Sequence, residues 1–325
     1  ALQKNQPELK ITKQEITCVS VAGLCHDVGH CCLSHGFDHY FIPTLKKKYP
    51  TKEKTQKLNA IDTHEKRSVL LFRHLHKKYH LPFTASEVNL ICNLILDENK
   101  SATRGWLWEI ISNGETFIDV DKLDYLCRDS LHLGFGKPFH YQEFLQNSKI
   151  YANHIIYDIK LKQRIYNLFY TRYDLHLRVY QHPVVVLMAK VGIKLLLHLE
   201  EDLHLMEKLT NDDFGWCSII DDVLNAPLWL PVSTKTKQLY QQMSSRQLPP
   251  YEFWLEDKKL KTRKGSHLQL DGCDQPETLP IFVGFFPKDK NYFPNITYFC
   301  QETILYGESP PTQKIQQCGK LLIFP

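Results

Sequence analysis

A short segment near the start of the sequence concentrates side chains that bind metals and move protons. An apolar run is followed by His26, Asp27, His30, His35 and Asp38. Imidazole and carboxylate groups are ligands for iron, manganese and zinc in proteins. Burying such groups at a helix end is costly unless they bind each other, other partners or a metal. The segment therefore predicts a metal centre, with a satisfied core histidine as the alternative.

A second set of polar side chains lies on a helix predicted over residues 118–129. Asp121, Tyr125 and Asp129 follow one another at a spacing of four, which places two carboxylates and a phenol along one helical face, with Lys122 beside them. The alternative is a surface helix with ion pairs. Because Ile118, Val120, Leu123 and Leu126 are apolar, we expect this helix to be buried on more than one side and to serve a functional site.

A third set lies on a long helical pattern in the middle of the chain. Arg172, His176 and Tyr180 recur at a spacing of four, and Gln181 is adjacent. One face of this helix therefore offers a cation, an imidazole and a phenol. Pro183 is expected to kink the helix just beyond them, because proline removes a backbone hydrogen bond and crowds the preceding turn.

The helix that positions the first segment has a clear beginning and end. Thr12 and Glu15 form a capping box at its start. The apolar residues from Val19 to Leu24 predict that it is buried. Gly29 is expected to let the backbone turn sharply, so that the histidines after it return towards the same space.

The next two helices also carry start signals. Thr63 precedes His64 at the beginning of one of them, and its apolar residues recur at helical spacing. Thr84 and Glu87 form a second capping box, which predicts a helix that runs to about Asp97. The first of these helices therefore begins at about His64.

The composition narrows the class of protein. The 325 residues are 43% hydrophobic and 23% charged, which is typical of a globular chain. The net charge of +4 is too small to indicate a nucleic-acid protein, but it suits an enzyme that handles polyphosphates. No apolar run predicts a membrane span, and no secretory leader is visible. Ten scattered cysteines without a C-x-x-C pair favour a reducing compartment, so we expect an intracellular protein, nuclear or cytoplasmic.

The character of the chain changes after about residue 210. Prolines punctuate short apolar runs, and the segments 281–286 and 296–306 are rich in β-branched and aromatic residues, which predicts strands. We therefore expect a helical domain over residues 1–210 and a smaller α+β lobe over residues 211–325. A basic cluster at 258–264 is interpreted as an exposed loop, although a nucleotide or an acidic polymer could use it.

Several motifs recur in order and spacing from about residue 5 to residue 210. They are Gln6-Pro-Glu-Leu9, Ala22-Gly-Leu-Cys-His-Asp27, Phe37-Asp38, Phe41-Ile-Pro43, Thr63-His-Glu65, Ile118-Asp-Val-Asp-Lys122, Asp124-Tyr125, His132-Leu-Gly134 and Tyr180-Gln-His182. Together they resemble the HD-domain phosphohydrolases and, within them, the deoxynucleoside triphosphate (dNTP) triphosphohydrolases. The resemblance implies a mainly α fold, with an HD-domain helical core and a smaller, divergent α+β C-terminal lobe.

The resemblance also implies a metal site. In that family two histidines and two aspartates hold one divalent ion, and His26, Asp27 and Asp121 match three of these ligands. The fourth, a histidine, is expected upstream of Ala1, since the sequence opens without Met and is interpreted as a fragment. Iron, manganese and zinc all suit such a site, and magnesium is expected to accompany the nucleotide.

The remaining site residues follow from the same resemblance. The catalytic histidine and carboxylate network matches His30, His35, Asp38 and His64. The substrate-binding positions match Lys122, Tyr125, Asp129, Arg172, His176, Tyr180 and Gln181. Lys122, Tyr125 and Arg172 are expected to contact phosphates. Asp129 and Tyr125 are expected to lie near the 3'-hydroxyl of the sugar. Tyr180 is expected to pack against the sugar, with His176 and Gln181 at the sugar and base end.

The regulatory pattern of that family is only partly present. Its members are activated by nucleotides that join subunits, through basic residues outside the catalytic pocket. Glu143, Asp158 and Pro183 occupy positions where that pattern has basic residues, whereas Lys160 matches it and His182 is a further candidate. We expect a homo-oligomer, dimer or tetramer, with a GTP or dNTP activator whose action differs from the family's.

Three functions are compatible with these residues. The leading hypothesis is metal-dependent hydrolysis of a dNTP to a deoxynucleoside and inorganic triphosphate, which lowers dNTP pools. A second is hydrolysis of another nucleotide, a deoxynucleoside monophosphate or a cyclic nucleotide. The third is a catalytically silent homologue that binds nucleotides or, weakly, single-stranded nucleic acid through the basic cluster at 258–264. No membrane partner is expected.

Overall fold

The computed structural model describes residues 1–114, 116–211 and 214–248, and the backbone of two short strands beyond them. The helices are α1 (Leu2–Asn5), α2 (Lys13–Cys25), α3 (Ile42–Lys48), α4 (Lys52–Asn59), α5 (His64–Tyr79), α6 (Ala85–Leu96), α7 (Trp106–Ile111), α8 (Val120–His132), α9 (Tyr141–Gln146), α10 (Lys162–Leu175), α11 (Pro183–Leu203), α12 (Leu205–Asn211) and α13 (Thr234–Ser244). Short 3-10 turns cover Pro7–Leu9, Ile159–Leu161, Gly215–Ser218 and Asp221–Leu228, and single π-helical turns cover Phe37–Phe41 and His176–Tyr180. The predicted mainly α fold is confirmed.

The small sheet contains β1 (Ser148–Tyr151), β2 (His154–Asp158), β3 (Tyr298–Phe299) and β4 (Ile304–Leu305), in that spatial order. β1 and β2 form an antiparallel hairpin in which Ser148 pairs with Tyr157. β2 pairs with β3 in parallel, and β3 with β4 antiparallel. The last two strands fall inside the predicted strand segment 296–306, whereas the predicted strand at 281–286 and the basic cluster lie outside the described residues.

The chain forms two compact units that interleave along the sequence. The first combines Ala1–Val19 with Asn99–Val179, and the second combines Ser20–Glu98 with residues 180–248. Residues 214–248 belong to the second unit together with α11. Because most of the segment 211–325 lies outside the described residues, the division at residue 210 stays a prediction.

In the first unit, α7, α8 and α10 pack around large apolar side chains. Trp106 and Trp108 of α7, Leu126 of α8 and Leu168 of α10 are all buried. Glu109, on the same helix as the tryptophans, is buried as well, and it accepts hydrogen bonds from the His154 ring and from the Ile155 amide of β2. This carboxylate ties α7 to the hairpin.

The core of the second unit is built around α11. Buried apolar side chains from the π-helical turn, α3, α11, α12 and the following 3-10 turns form one cluster. Phe37, Phe41, Leu195 and Leu196 are completely buried there. Burial of each such side chain contributes about 1.5–3 kcal/mol relative to leaving it exposed. This core fixes the backbone on which the first polar segment is built.

The prediction that α2 is a buried helix is wrong. Cys18 and Ala22 are buried, but Ile16 is 42% exposed and Leu24 is 79% exposed. Cys18 and Ala22 stand four residues apart, so they lie on one narrow face of α2, and only that face is buried. The predicted capping box is confirmed, because Thr12 and Glu15 exchange hydrogen bonds between side chains and backbone amides.

The long helical pattern in the middle of the chain is interrupted where Pro183 predicts a kink. α10 continues through the π-helical turn to Tyr180, and α11 begins at Pro183. Proline is favoured at the first position of a helix, where its missing amide is not needed. The proline therefore starts a new helix rather than bending a continuous one.

Among the described residues, no single helix meets the length and hydropathy of a membrane span. Only the consecutive helices Ile159–Tyr180 and Pro183–Leu203 do so when they are taken together.

Candidate active site

His26 and Asp27 follow directly after the last residue of α2. The His26 Nδ1 lies 2.7 Å from the Gly23 carbonyl oxygen, which can only accept a hydrogen bond. Nδ1 is therefore the donor, and the lone pair of a neutral His26 ring lies on Nε2. That Nε2 is 3.4 Å from Asp27 Oδ2. A ring nitrogen held by a backbone carbonyl is the usual partner arrangement of a metal-binding histidine.

Gly29 brings the turn after Asp27 into close contact with α5. A side chain at this position would meet the His64 carbonyl oxygen at 2.3 Å and the Ser68 amide nitrogen at 2.5 Å. The Gly29 amide donates to Ser68 Oγ at 2.9 Å, and that hydroxyl donates to the His26 carbonyl at 2.7 Å. The predicted turn is present, and the close approach of α5 adds a requirement for space at Gly29.

His30, His35 and His64 form a compact group, called here the histidine cluster. The His30 and His64 rings stack with their centroids 4.0 Å apart. His35 meets both edge-on, at 5.0 Å from His30 and 5.2 Å from His64. One ring nitrogen from each histidine lies within 4.8 Å of the others. The structure therefore brings together three of the predicted catalytic side chains.

Asp38 anchors the histidine cluster through hydrogen bonds to His64. It is buried, and its Oδ2 accepts hydrogen bonds from His64 Nδ1 at 2.8 Å and from the His64 amide at 3.0 Å. Its other oxygen binds the guanidinium of Arg67, which is completely buried. Burial alone would raise the pKa of Asp38, but the bonds from His64 and Arg67 lower it below its ordinary value.

Crowding changes the titration of the other two histidines. Desolvation and the neighbouring His64 and His35 lower the pKa of His30 to about 3. Desolvation and His64 also lower the pKa of His35. Both imidazoles are therefore neutral near pH 7 and keep a lone pair for a proton or a metal.

The donor set of the second unit fits a divalent transition ion. His26 Nε2 and an Asp27 oxygen converge at the end of α2, and both are ligand types that iron, manganese and zinc accept. Asp121, the third expected ligand, lies in the first unit at the start of α8 and is half-buried. Its place in the same ligand set stays a prediction.

In the first unit, Asp119 has a role that the sequence interpretation missed. It caps α8, because Oδ1 accepts from the Lys122 amide at 2.9 Å. Oδ2 accepts from the Lys122 ammonium at 2.9 Å and from the Asn113 amide at 3.2 Å. Lys122, predicted to contact phosphate, is thus oriented by a buried carboxylate of its own helix end.

Arg172, Tyr125 and His176 also belong to the first unit. Arg172 is buried, and its Nε donates to Tyr125 Oη at 3.2 Å, which joins α10 to α8. Burial and the adjacent Arg172 charge lower the pKa of His176 to about 4. Asp129 is half-buried two turns beyond Asp121, as the helical spacing predicts. Lys122, Tyr125, Arg172 and His176 are called here the cation set.

Four further predicted residues lie around the end of α10 and near the hairpin. Tyr180 is half-buried at the end of the π-helical turn, whereas Gln181 and His182 are exposed in the break before α11. His182 caps α11 through its ring, which accepts from the Val184 amide. Lys160 is exposed and lies 3.4 Å from Asp158. The predicted binding and regulatory roles of these residues stay predictions.

The sequence interpretation also missed Arg67 and Ser68 on the first turn of α5. Arg67 Nε donates to the Gly29 carbonyl at 2.7 Å and another guanidinium nitrogen donates to the Ile61 carbonyl at 2.6 Å, besides its bond to Asp38. Arg67 follows the candidate catalytic His64 by one helical turn, but a charged residue near a helix start gives no distinctive local signal of such a role.

Comparison with known proteins gives several relatives and no matching family model. The chain is 28% identical to the deoxynucleoside triphosphate triphosphohydrolase SAMHD1 of Danio rerio over 372 aligned residues, 99% of this chain and 58% of the fish protein. The human SAMHD1 is 33% identical over 209 residues, 57% of this chain and 32% of the relative. A putative HD domain-containing protein, L394 of Acanthamoeba polyphaga mimivirus, is 29% identical over 66% of this chain and 44% of its own length.

The chain spans a little more than half the length of two of the relatives it matches, 58% of the zebrafish protein and 54% of the SAMHD1 of Mus musculus. The resemblance expected from the ordered motifs is thereby confirmed: this chain is similar to the SAMHD1-type HD proteins, as a distant relative.

Proposed function

We propose that the chain belongs to a metal-dependent hydrolase that converts a dNTP and water into a deoxynucleoside and inorganic triphosphate, and so lowers dNTP pools. The observation that carries the proposal is the His26–Asp27 pair beside the histidine cluster, at 3.4 Å between His26 Nε2 and the Asp27 carboxylate. The similarity to proteins named as dNTP triphosphohydrolases supports the choice of substrate.

His26 and Asp27 would hold the divalent ion, with Asp121 as the further ligand that the sequence resemblance assigns. The ion would supply Lewis-acid polarisation of the α-phosphate and a more acidic bound water. The protein's own contribution is to fix these ligands before substrate arrives. The Gly23 carbonyl orients the His26 ring, and Ser68 anchors the backbone between the pair and α5.

The histidine cluster would handle the protons. The attacking water must lose a proton and the departing 5'-oxygen must gain one. His35 is the member most open to solvent, so we propose that it exchanges the proton with substrate. His64 is oriented for this relay, because Asp38 accepts from its Nδ1 and leaves Nε2 towards the cluster.

The cation set would bind the triphosphate. Arg172 is buried, and a desolvated guanidinium interacts strongly with phosphate oxygens. Tyr125 accepts a hydrogen bond from Arg172 and orients it. We propose that Tyr180 packs against the sugar, as the resemblance implies, and that this contact disfavours a ribonucleotide.

The test is to incubate the chain with each dNTP and manganese and to separate the products by ion-exchange chromatography. We expect deoxynucleoside and triphosphate in equal amounts. His35→Asn should lower the rate by about 10²–10⁴-fold. The matched control is His74→Asn on α5, an exposed histidine whose ring contacts Phe214, and it should keep the wild-type rate. Release of pyrophosphate or single phosphates, or preferred hydrolysis of a monophosphate or cyclic nucleotide, would contradict this reaction.

A further inference from the structure

We propose that Asp221 is a positioning residue for His35. It holds the backbone turn formed by Leu33 and Ser34, called here the Leu33–Ser34 turn, in the conformation that brings the His35 ring against the rest of the histidine cluster. All of these residues belong to the second unit. The effect on the position of the ring stands without any reaction, whereas the effect on the rate rests on the proposed function.

The Leu33–Ser34 turn has an unusual backbone. The φ angle is 62° at Leu33 and 51° at Ser34, so two consecutive residues other than glycine lie in the left-handed region. That region is unfavourable for residues with a side chain, because Cβ comes close to the following carbonyl oxygen. A backbone of this kind persists only where the surrounding structure holds it, and it is common beside functional side chains.

The turn orients two members of the histidine cluster. Ser34 Oγ lies 3.2 Å from His30 Nδ1. His35 follows Ser34 directly, and its ring meets those of His30 and His64 edge-on, with centroids 5.0 Å and 5.2 Å away. A rotation about φ of Ser34 would swing the His35 ring out of these contacts, because the peptide after Ser34 carries it. The arrangement of the cluster therefore depends on the turn.

The support of the turn comes from the segment of 3-10 turns far along the chain. The Leu33 amide donates a hydrogen bond to Asp221 Oδ1 at 2.9 Å. The preceding Cys32 amide donates to the Ile219 carbonyl at 2.8 Å. Two successive amides before the histidine are thus bound by one distant segment. Because the Cys32–Ile219 bond joins backbone atoms, it survives a change of side chain, and Asp221 is the point where the support can be removed.

Asp221 also binds the side chain of Cys32. Burial raises the pKa of this thiol, and a hydrogen bond to the Asp221 carboxylate raises it further. The thiol therefore keeps its proton at neutral pH and donates it to the same carboxylate that accepts from Leu33. The Leu33 side chain is packed on α11, where a methyl group added at Gly192 would meet Leu33 Cδ1 at 3.1 Å. The carboxylate fixes the backbone of the turn, and α11 fixes its side chain.

The place of Asp221 favours a positioning role over a role in the core. The residue is exposed and begins the 3-10 turn Asp221–Leu228. Removal of an exposed side chain leaves no cavity, and such substitutions change global stability little. We therefore expect a substitution at Asp221 to act on the turn and on His35 rather than on folding.

The first test compares kcat and KM for dNTP hydrolysis. Asp221→Ala should lower kcat by about 10–100-fold and leave KM unchanged, because a displaced reacting group slows the chemical step. Asp221→Asn should restore most of the rate, since its amide oxygen still accepts from the Leu33 amide. Asp222→Ala removes the adjacent exposed carboxylate and should keep the wild-type rate. In an active enzyme, full kcat in Asp221→Ala, or an equal loss in Asp222→Ala, would overturn the proposal.

A double-mutant cycle separates positioning from a general structural effect. If Asp221 acts through His35, Asp221→Ala should cause no further loss of kcat in a His35→Asn background, because the group that it positions is already absent. The same 10–100-fold loss in both backgrounds would overturn the assignment. Should Asp221→Ala fail to fold, Asp221→Glu, which displaces the carboxylate by one methylene group, replaces it in the same cycle.

Nuclear magnetic resonance of the chain with isotope-labelled histidine gives a readout that needs no hydrolysis. We expect a nuclear Overhauser effect between the His35 and His64 rings in the wild type and in Asp221→Asn, and its loss in Asp221→Ala. That pattern would support the positioning role even in a preparation that hydrolyses no dNTP. An unchanged effect between the two rings in Asp221→Ala would overturn it, whether or not dNTPs are hydrolysed.

Discussion

The polar side chains of the histidine cluster and those of the cation set are held in position in different ways. In the cluster the support comes from another segment of the chain: the turn after α2 and the start of α5 are joined through Gly29, Arg67, Ser68 and Asp38. In the cation set, Arg172 and His176 are one helical turn apart on the same helical run, and Lys122 is held by the cap of its own helix, while the bond from Arg172 to Tyr125 joins α10 to α8.

This difference indicates where each region is vulnerable. The cluster depends on close approach between two backbone segments, so one added methyl group or one removed charge should disturb all its members. The cation set depends on helical spacing and on burial, so a single substitution should act locally and through pH. The predictions below test that contrast from the largest expected effect to the smallest.

Arg67→Met should cause the largest loss of stability. The variant removes the guanidinium that binds the buried Asp38 and the carbonyls of Gly29 and Ile61. Breaking a buried ion pair by removing one partner costs about 3–5 kcal/mol. The free energy of unfolding, measured in urea at pH 7, should fall by that amount.

The matched control is Lys66→Met, the preceding residue, whose ammonium pairs with Asp62 at 2.8 Å and is 43% exposed. Exposed pairs contribute about 0.2–1 kcal/mol. An equal decrease in the free energy of unfolding in the two variants would show that the Asp38–Arg67 pair does not support the cluster.

Gly29→Ala should cause the next largest loss of stability. Its methyl group would stand 2.3 Å from the His64 carbonyl, and overpacking of this kind costs about 1–3 kcal/mol. Gly23→Ala is the matched control, because nothing lies within 4 Å of its added methyl group. Alanine inside a helix is favoured over glycine, so this control should be neutral or stabilising by roughly 0.5–1 kcal/mol. Urea denaturation of both variants decides, and a harmless Gly29→Ala would mean that the turn and α5 separate easily.

His176→Gln should act through pH and only in the first unit. The pKa of His176 in the folded protein, about 4, lies below its ordinary value of 6.5. As pH falls from 6.5 towards 4, the unfolded chain takes up a proton before the folded one does, so stability decreases by at most about 1.4 kcal/mol per pH unit.

Urea unfolding at pH 7, 6 and 5 should show a shallower loss of stability in His176→Gln than in the wild type. The exposed His132, on α8 of the same unit, provides the control variant His132→Gln, which should keep the wild-type slope. Parallel slopes in all three proteins would mean that burial of His176 is not what distinguishes the cation set.

Much of the local structure was predictable from the sequence because it depends on neighbouring residues. The capping boxes at Thr12 and Thr84 appear where the spacing of threonine and glutamate predicts them. Proline at position 183 correctly marks a disruption of the helical pattern, although its outcome is a helix start. The ordered motifs also sufficed to predict the family resemblance and the convergence of His30, His35 and His64.

The parts that escaped prediction depend on distant segments. Leu24 is apolar, yet 79% exposed, because burial is decided by what packs against a helix and not by its own residues. The need for glycine at position 29 comes from α5, about forty residues further along the chain. Arg67 has no distinctive local pattern, and only the position of Asp38 explains why a charged side chain is completely buried there.

The hydrogen bond from the Gly29 amide to Ser68 Oγ has a kinetic consequence. The amide is buried against α5, so its hydrogen can exchange with solvent only when the turn lifts away and the bond breaks. Its exchange rate therefore measures how often the His26–Asp27 pair separates from His64. In this protein one backbone hydrogen reports the lifetime of the assembled cluster.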